Sequence, residues 1–263
     1  MKTQKLKTLV IIAGASRGLS KTYFDYYSLQ PNTQCIGISR TNTFRHLVSL
    51  DLLQSDKAFV FVKELNLSGI DRVIYIHGVG IDKFEPHGVP FIDIDGDGID
   101  DEVYQSNVVT FLHLAEPLIA RVTSLHIPLT ICNIGSLGDI YNVPFWQSFT
   151  KSKNMLRKYM KSNTLPLVKS LFFNVSSTLD ETGEKYGRPF ADTTYWLDAR
   201  DLVHRSVSYL DAFDLQTGHM ELDFFNPCPW YSKDYFTNLP VLYQIWQRDM
   251  GYEGRDIPGN IRI

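Results

Sequence analysis

Short apolar runs alternate with longer helical patterns along most of this chain. The runs are rich in β-branched residues and include TLVIIAG, QCIGISR, RVIYIHG, LTICNIG and VKSLFFNVS. Their apolar residues do not alternate with polar ones to give a polar face, as is typical of strands covered on both faces. Strands separated by helices favour a parallel sheet wrapped by helices. The sequence therefore predicts a single α/β domain with a doubly wound parallel sheet over residues 1–223. Residues 224–263 form an extension that packs on the same domain or on a neighbouring subunit.

The charge and the hydropathy of the chain exclude two classes of partner. A formal charge of −3 over 263 residues, with no dense basic run, argues against nucleic-acid binding. The N-terminal segment MKTQKLKTLVIIAGA has features of a signal peptide, but its apolar run passes directly into a glycine turn, which indicates a buried first strand. No later segment reaches the roughly 20 apolar residues of a membrane span. We expect neither a nucleic acid nor a membrane as partner.

The cysteines and histidines form no recognisable metal site. The three cysteines are odd in number, far apart and without zinc or disulfide spacing, and they are Cys35, Cys132 and Cys228. Thiols in a reducing cytoplasm are the simplest interpretation. No two of His77, His87 and His113 have metal-ligand spacing on one element, which favours core or surface roles.

A glycine turn follows the first predicted strand. Gly14 and Gly18 flank the tripeptide ASR, where small residues let the backbone and a helix N-terminus approach a pyrophosphate. The second strand ends in Ser39 and Arg40, with no acidic residue for a ribose 2′-hydroxyl. Arg40 and Arg17 can instead neutralise a 2′-phosphate, which favours NADP over NAD in a Rossmann-type fold. A tight turn without a ligand, with both arginines as solvated surface charges, is the alternative.

From about residue 8 to residue 223 the chain resembles the short-chain dehydrogenase/reductase family. AGASRGLS is similar to the TGxxxGxG turn of that family, with Ala13 for the threonine and Ser20 for the last glycine. Asp51 in SLDL is similar to the acid that follows the third strand and holds the adenine. YIHG falls where the family has NNAG and keeps only Gly78. The resemblance implies contacts to NADP(H) from Gly14, Ser16, Arg17, Gly18, Leu19, Ser39, Arg40, Asp51, Leu52, Gly78, Lys153 and Thr178.

The catalytic positions of the family are matched with one exception. Asn107 is similar to the helix asparagine that orders a water, and Ser136 in NIGS to the serine that holds the substrate oxygen. Where the YxxxK motif of the family begins, this chain has Phe149, followed by the expected Lys153. The resemblance implies that Lys153 binds the nicotinamide ribose. Thr178 in NVSST is kept, but the neighbouring Pro-Gly pair of the family is absent.

Phenylalanine has no proton to donate, and three alternatives follow. In the first, another group supplies the proton, with Tyr141, Tyr186 and Tyr195 as candidates. In the second, Ser136, Lys153 or ordered water suffices because the substrate is activated, as conjugated imines, iminium ions and polarised enones are. In the third, redox chemistry is lost and the protein binds NADP for another purpose. The retained serine, asparagine and lysine favour an NADP(H)-dependent reductase acting on a small organic molecule.

An acidic loop, DIDGDGIDDE, precedes the helix that carries Asn107. It matches the first nine positions of an EF-hand loop, with Gly98 at the turn, and its candidate calcium ligands are Asp93, Asp95, Asp97 and Asp101. Tyr104 stands where the bidentate glutamate is expected, although Glu102 can reach inward. The alternatives are a structural calcium site and a solvated acidic turn that favours the helix N-terminus.

The extension is rich in aromatic residues, namely Trp230, Tyr231, Tyr235, Phe236, Tyr243 and Trp246. Such a segment completes the core, covers the substrate pocket or packs on a second subunit. The resemblance implies a homo-oligomer, a dimer or a tetramer.

Overall fold

A seven-stranded parallel sheet forms the centre of the computed structural model, which describes residues 6–41, 46–85, 92–163, 165–179, 187–212, 218–228 and 233–258. The strands in chain order are β1 (Thr8–Ala13), β2 (Thr33–Ser39), β3 (Leu47–Ser49), β4 (Arg72–His77), β5 (Leu129–Ser136), β6 (Val168–Val175), β7 (Thr178–Leu179), β8 (Leu197–Asp198) and β9 (Gly218–Phe224). The sheet order is β3-β2-β1-β4-β5-β6-β9, and β7 pairs with β8 separately. The predicted doubly wound α/β fold is confirmed.

Helices cover the sheet and continue into the C-terminal extension. They are α1 (Gly18–Ser28), α2 (Ser55–Glu64), α3 (Asp101–Tyr104), α4 (Thr110–Ser124), α5 (Gln147–Ser162), α6 (Ala199–Asp211), α7 (Lys233–Thr237) and α8 (Leu239–Asp249). A π-helical turn, Gln105–Val109, joins α3 to α4, and two 3₁₀ turns, Leu137–Ile140 and Pro144–Trp146, lie between β5 and α5. In the part of the chain described above, none of the helices combines the length and apolar character that crossing a bilayer requires.

The two faces of β1 contribute to two separate apolar clusters. Leu9 and Ile11 pack with residues of α2, α4 and α5, whereas Val10 and Ile12 pack with residues of α1 and α6. All four side chains are fully buried. Burying an aliphatic side chain of this size stabilises a fold by about 1.5–3 kcal/mol. The continuous apolar sequence of β1 therefore reflects a strand with helices on both sides.

The order of the strands reverses next to β1, because β2 follows it in sequence on one side and β4 lies on the other. In the register of the sheet, Ala13 lies beside Ile38 and His77, so Gly14 and Gly78 leave the sheet as neighbours. Open α/β sheets bind ligands outside the carboxyl ends of the strands at such a reversal.

A third apolar cluster joins the extension to the main domain. Phe84, Phe145 and Trp146 of the main domain pack there with Phe236 and Trp246 of the extension. The Trp146 and Trp246 rings have centroids 4.9 Å apart. The described part of the extension therefore packs directly beside the first turn of α5.

Candidate active site

A cavity of about 1110 Å³ opens at the carboxyl ends of β1, β4 and β5. Gly14, Gly78 and Ser136, which lie at these three strand ends, belong to its wall. The predicted site residues that line it are Gly14, Ser16, Arg17, Gly18, Leu19, Ser39, Arg40, Asp51, Leu52, Gly78, Ser136, Phe149, Lys153 and Thr178. Residues far apart in the sequence are thus collected around one space.

The glycine turn has the geometry of a cradle for a phosphate group. Gly14 and Gly18 have φ angles of +81° and +62°, in the left-handed region that favours glycine. A Cβ atom on Gly14 would lie 3.2 Å from the carbonyl oxygen of Gly78. A Cβ atom on Gly78 would collide with the hydroxyl of Ser20. Ser20, which stands for the last glycine of the motif, therefore fills space that a larger residue at position 78 would need.

Two arginines lie at the edge of the cavity beside β2. Arg17 immediately precedes α1, and Arg40 follows β2, with both side chains exposed. Ser39 is buried and its hydroxyl donates to the carbonyl oxygen of Thr41 at 2.8 Å, so this side chain fixes the turn after β2. The Asp51 carboxylate accepts from the Leu53 N–H at 3.1 Å. This end of the cavity combines two guanidinium groups with backbone segments that the Ser39 and Asp51 side chains bond.

Asn107 lies in the π-helical turn and holds the segment after β4. Its amide nitrogen donates to the Ile81 carbonyl oxygen at 3.1 Å and to the Ser152 hydroxyl at 2.9 Å. Its amide oxygen accepts from the Ile81 N–H at 2.8 Å. A Cβ atom on Gly80 would lie 2.8 Å from that oxygen and 3.5 Å from Lys153 Nζ. Asn107 is fully buried behind the cavity wall, and it positions the wall beside Lys153.

Ser136 is held by a capping box at the end of β5. Its hydroxyl accepts from the Gly138 N–H at 3.1 Å, and its own N–H donates to Asp139 Oδ2 at 3.0 Å. A hydroxyl group has one proton to donate and two lone pairs. Accepting from Gly138 therefore leaves the Ser136 proton for a substrate oxygen.

Lys153 and Phe149 lie one helical turn apart in α5 and both face the cavity. Lys153 is buried, and Nζ donates to the Ile134 carbonyl oxygen at 2.8 Å and lies 5.5 Å from the centroid of the Phe149 ring. Burial lowers the pKa of Lys153 to about 8, the nearby Asp139 and Asp82 oppose this shift, and Arg157 adds to it. A lysine whose pKa is near neutrality can both give and accept a proton.

Comparison with solved structures finds many chains of similar architecture. No protein-family model matches the chain, and no curated protein sequence matches it significantly. A 4-hydroxyisoleucine dehydrogenase complexed with NADH has a TM-score of 0.65 and 18% identity, over 82% of this chain and 96% of that one. A short-chain dehydrogenase from Burkholderia cenocepacia J2315 in complex with NADP has a TM-score of 0.62 and 13% identity, over 83% and 88%. The chain has the fold of the short-chain dehydrogenases.

A third similar structure is ElxO with one tyrosine replaced by phenylalanine and with NADPH bound. Its TM-score is 0.63 and its identity 12%, over 89% of this chain and all of that one. At identities of this size the comparisons establish the short-chain dehydrogenase fold of the chain and nothing further. The features that are particular to this version of the fold come from its own contacts.

Two of the three tyrosines proposed as substitutes for the missing phenol, Tyr141 and Tyr195, lie outside the described wall of the cavity. The Tyr141 ring stacks on the Phe236 ring, with centroids 4.6 Å apart and planes at 8°. Tyr195 is half-buried and is also absent from the lining, and Tyr186 lies outside the described residues. Among the described tyrosines, Tyr235 of the extension does line the cavity. The sequence marked Tyr235 only as one of the aromatic residues of an extension that could cover the pocket, and not as a source of protons.

His77 is a core residue of this short-chain dehydrogenase fold. It is fully buried, its Nδ1 lies 2.6 Å from the Tyr75 hydroxyl, and its Nε2 lies 3.4 Å from the Thr110 hydroxyl. Burial, with a smaller contribution from Lys153, lowers the pKa of His77 well below its usual range. The ring is therefore neutral. His113 Nδ1 lies 2.8 Å from the Leu52 carbonyl oxygen, and His87 lies outside the described residues.

The acidic loop brings three of its four predicted ligands together. One carboxylate oxygen each of Asp93, Asp95 and Asp101 lies within 4.8 Å of the others. Asp97 is not in this group, and it accepts from the Ile99 N–H at 2.7 Å. The Glu102 carboxylate pairs with Lys83 at 3.0 Å. The calcium site stays a prediction.

Several described residues of the cavity wall were not anticipated. Asp82 and Arg188 bring charges to it, and Trp146 brings aromatic surface beside Trp246, which the sequence already marked as one of the aromatic residues of the extension. Asp139 stands directly behind Ser136. The Ser-x-x-Asp spacing of Ser136 and Asp139 is the signal of a capping box and could have identified this residue.

Proposed function

We propose that this protein is an NADP(H)-dependent reductase of the short-chain dehydrogenase type that acts on a small organic substrate. The observation that carries the proposal is that Ser136, Lys153 and the glycine turn line one cavity although the phenol position is filled by Phe149. A binding protein without chemistry would not need a buried lysine and a capped serine facing the same space.

The residues of the cavity fit a dinucleotide. The left-handed glycines and the N-terminus of α1 suit a pyrophosphate, because backbone N–H groups and the helix dipole favour an anion there. Arg17 and Arg40 would hold the 2′-phosphate through charge-assisted hydrogen bonds. Lys153 would hold the nicotinamide ribose. When bound, the dihydronicotinamide supplies a hydride.

Proton delivery is proposed to come from Ser136, Lys153 or ordered water instead of a phenol at position 149. This alternative is supported because Ser136 and Lys153 line the cavity, whereas Tyr141 stacks against the extension. The pKa of about 8 lets Lys153 release a proton near neutral pH. A positioned acid-base group accelerates a reaction by roughly 10²- to 10⁴-fold, and this chain lacks the phenol that would provide it. We therefore expect a substrate that is already activated towards hydride transfer.

The Phe149→Tyr variant tests this assignment. Oxidation of NADPH is followed by absorbance with a panel of iminium, imine and conjugated carbonyl compounds. Restoring a phenol beside Lys153 is expected to raise kcat by about tenfold or more, below the full range for acid catalysis because the cavity is adapted to phenylalanine. Phe59→Tyr, at an exposed position of α2, is the matched control and should leave kcat unchanged. Failure of both wild type and variant to oxidise NADPH with any compound would contradict a reductase.

A catalytically silent NADP-binding protein is the second candidate, and Phe149 is the residue that favours it. In that case calorimetry detects NADPH binding while no compound is turned over by wild type or by the Phe149→Tyr variant. Absence of binding to both NADPH and NADH would contradict both candidates.

We further propose a homo-oligomer in a reducing cytoplasm, with residues 224–263 shaping the substrate pocket. The three cysteines are free thiols, which supports a reducing compartment. Phe236, Leu242 and Trp246 belong to the cavity wall, which supports a role of the extension in shaping the pocket. A structural calcium ion in the acidic loop is proposed on the basis of the Asp93, Asp95 and Asp101 carboxylates. Sedimentation and calcium calorimetry address the oligomer and the ion.

A further inference from the structure

One buried carboxylate connects the turn of Ser136 to the helix of Lys153. Asp139 Oδ2 accepts from the Ser136 N–H at 3.0 Å, and Asp139 Oδ1 accepts from Arg157 Nη2 at 2.7 Å. Arg157 lies one helical turn beyond Lys153 in α5. Asp139 is 1% exposed and Arg157 is 8% exposed, so the pair is shielded from water.

Arg157 is itself held by the far end of the sheet. Its Nη2 donates to Asn174 Oδ1 on β6 at 2.9 Å, and its Nε donates to Glu221 Oε2 on β9 at 3.0 Å. The guanidinium carbon lies 4.3 Å from the centroid of the Phe172 ring. A guanidinium with this many contacts is rigid, and the position of Asp139 is therefore set by two strands.

Among the residues that the structure describes, the charged groups that act on Lys153 are few. Asp139 and Asp82 are negative, Arg157 is positive, and the buried His77 is neutral. Among these charges Asp139 has the largest influence on the pKa of Lys153, and it acts against the lowering caused by burial. An anion near a buried ammonium favours the charged form.

Asp139 can play this part only as a carboxylate. Burial raises the pKa of Asp139 above its usual value, and Arg157, the Ser136 N–H and Lys153 offset this rise only in part. Both of its oxygens accept hydrogen bonds from N–H donors. A proton on Oδ1 would compete with the Arg157 donor, so the two N–H contacts and the adjacent guanidinium favour the ionised form.

We propose that Asp139 is a positioning residue of the active site: its carboxylate joins the Ser136 turn to Arg157 on the helix that carries Lys153, and its charge acts on the Lys153 ammonium group. The catalytic meaning of this role rests on the proposed function, because Lys153 is a proton source only if the protein reduces a substrate. The contacts themselves do not depend on NADPH, and the electrostatic role can be tested without a substrate.

The test is the titration of Lys153 in the full-length chain, measured by competitive labelling with trace acetic anhydride and mass spectrometry of the Lys153 peptide. In Asp139→Asn the labelling midpoint is expected to move to lower pH, by on the order of one pH unit. Asp198→Asn is the matched control, because Asp198 caps α6 on the other face of the sheet. An unchanged midpoint in Asp139→Asn, or an equal shift in Asp198→Asn, overturns the proposal.

A second variant decides the matter if Asp139→Asn does not fold. Asp139→Asn with Arg157→Met removes the pair together, which a buried site often tolerates. Because Asp139 influences Lys153 more than Arg157 does, the midpoint should still move to lower pH, but by less than in the single variant. A midpoint that stays in place or moves to higher pH contradicts the proposal.

Hydrogen exchange at the Ser136 amide tests the positioning role. Asparagine at position 139 retains an acceptor oxygen, and Asp139→Leu does not. With Arg157→Met also present, that oxygen has no second donor to serve, so the Ser136 N–H should stay protected in Asp139→Asn/Arg157→Met and exchange at least tenfold faster in Asp139→Leu/Arg157→Met, which corresponds to about 1.4 kcal/mol. Equal protection in both variants overturns this part. A separate NADPH titration reports on the proposed function, so the two can fail independently.

Discussion

At the scale of single residues, the burial of Lys153 is the feature that most needs compensation. Moving an ammonium group out of water costs several kcal/mol unless partners replace the lost hydration. Here the Ile134 carbonyl oxygen accepts from Nζ at 2.8 Å, and Asp139 and Asp82 supply negative charge. The Phe149 ring contributes only the face of its π-system, and its centroid lies 5.5 Å from Lys153 Nζ. The chain retains a costly cation at a place where apolar packing alone would favour a neutral residue.

The two arginines beside β2 should determine the choice of cofactor. Arg17→Met and Arg40→Met are each expected to weaken NADPH binding by about tenfold, since each removes one charge-assisted phosphate contact at an exposed site. NADH, which lacks the 2′-phosphate, should lose less than about threefold. Calorimetry measures both, with Arg200→Met on the exposed side of α6 as control. Equal losses for NADPH and NADH would contradict a role in phosphate recognition.

Residues with a local signature were predictable, and residues defined by distant partners were not. The left-handed conformations of Gly14 and Gly18 follow from a glycine pattern within five residues. Asp139 is visible as a capping residue, but its partner Arg157 lies 18 positions away on another element. Asn107 illustrates the same limit, because the Ile81 backbone that it binds lies 26 positions earlier. Pattern analysis identifies a turn and does not identify the contacts made across the fold.

At the scale of elements, the first turn of α5 is anchored from a distant segment. The residue before α5, Trp146, provides no side-chain cap. The buried Glu85 takes this role, since its Oε2 accepts from the Ser148 N–H at 3.0 Å and its Oε1 accepts from the Ser148 hydroxyl. A carboxylate at a helix N-terminus also complements the helix dipole. Phe149, the next residue, is positioned by this contact.

Removing the charge of Glu85 should destabilise the fold in a pH-dependent way. Burial, and to a lesser degree Asp100, raises the pKa of Glu85 above 4.5, against the bonds from Ser148. The pKa of Glu85 is therefore higher in the folded protein than in the unfolded chain. Glu85 contributes most to stability at a pH below its unfolded-state pKa, and this contribution declines as the pH rises through its folded-state pKa. Glu85→Gln should cost about 1 kcal/mol near pH 7, with a larger cost near pH 4.5. Denaturant unfolding at the two pH values measures this, with Glu116→Gln on α4 as the control.

A destabilisation by Glu85→Gln that grows as the pH rises would contradict a raised pKa of Glu85.

The sheet and its helices were predictable from the periodicity of the sequence, but the contact between Glu85 and Ser148 was not. Glu85 and Ser148 are 63 positions apart, and no local sequence motif around either residue indicates a helix cap.

At the scale of the whole molecule, the extension and the loop before β8 are joined by one buried ion pair. Arg188 Nη2 lies 2.6 Å from Asp249 Oδ2, with the two side chains 8% and 2% exposed. The Arg188 guanidinium carbon also lies 4.3 Å from the Trp246 ring centroid and 5.3 Å from that of Trp196. Arg188 and Trp246 both line the cavity. The wall of the cavity and the attachment of α8 therefore depend on the same contact.

Breaking this pair should release α8 before the sheet unfolds. Asp249→Asn leaves the Arg188 charge buried with a weaker partner, and such losses cost about 3–5 kcal/mol. Because the main sheet does not use this contact, the expected result is faster hydrogen exchange in α8 and in residues 187–197, with exchange in β1 and β5 unchanged. Arg248→Met is the control, since Arg248 also bonds Asp249 but is 53% exposed and should matter little. Exchange that rises uniformly over the chain would show that the extension is part of the cooperative core. Unchanged exchange in α8 would show that the aromatic contacts hold the extension without the ion pair.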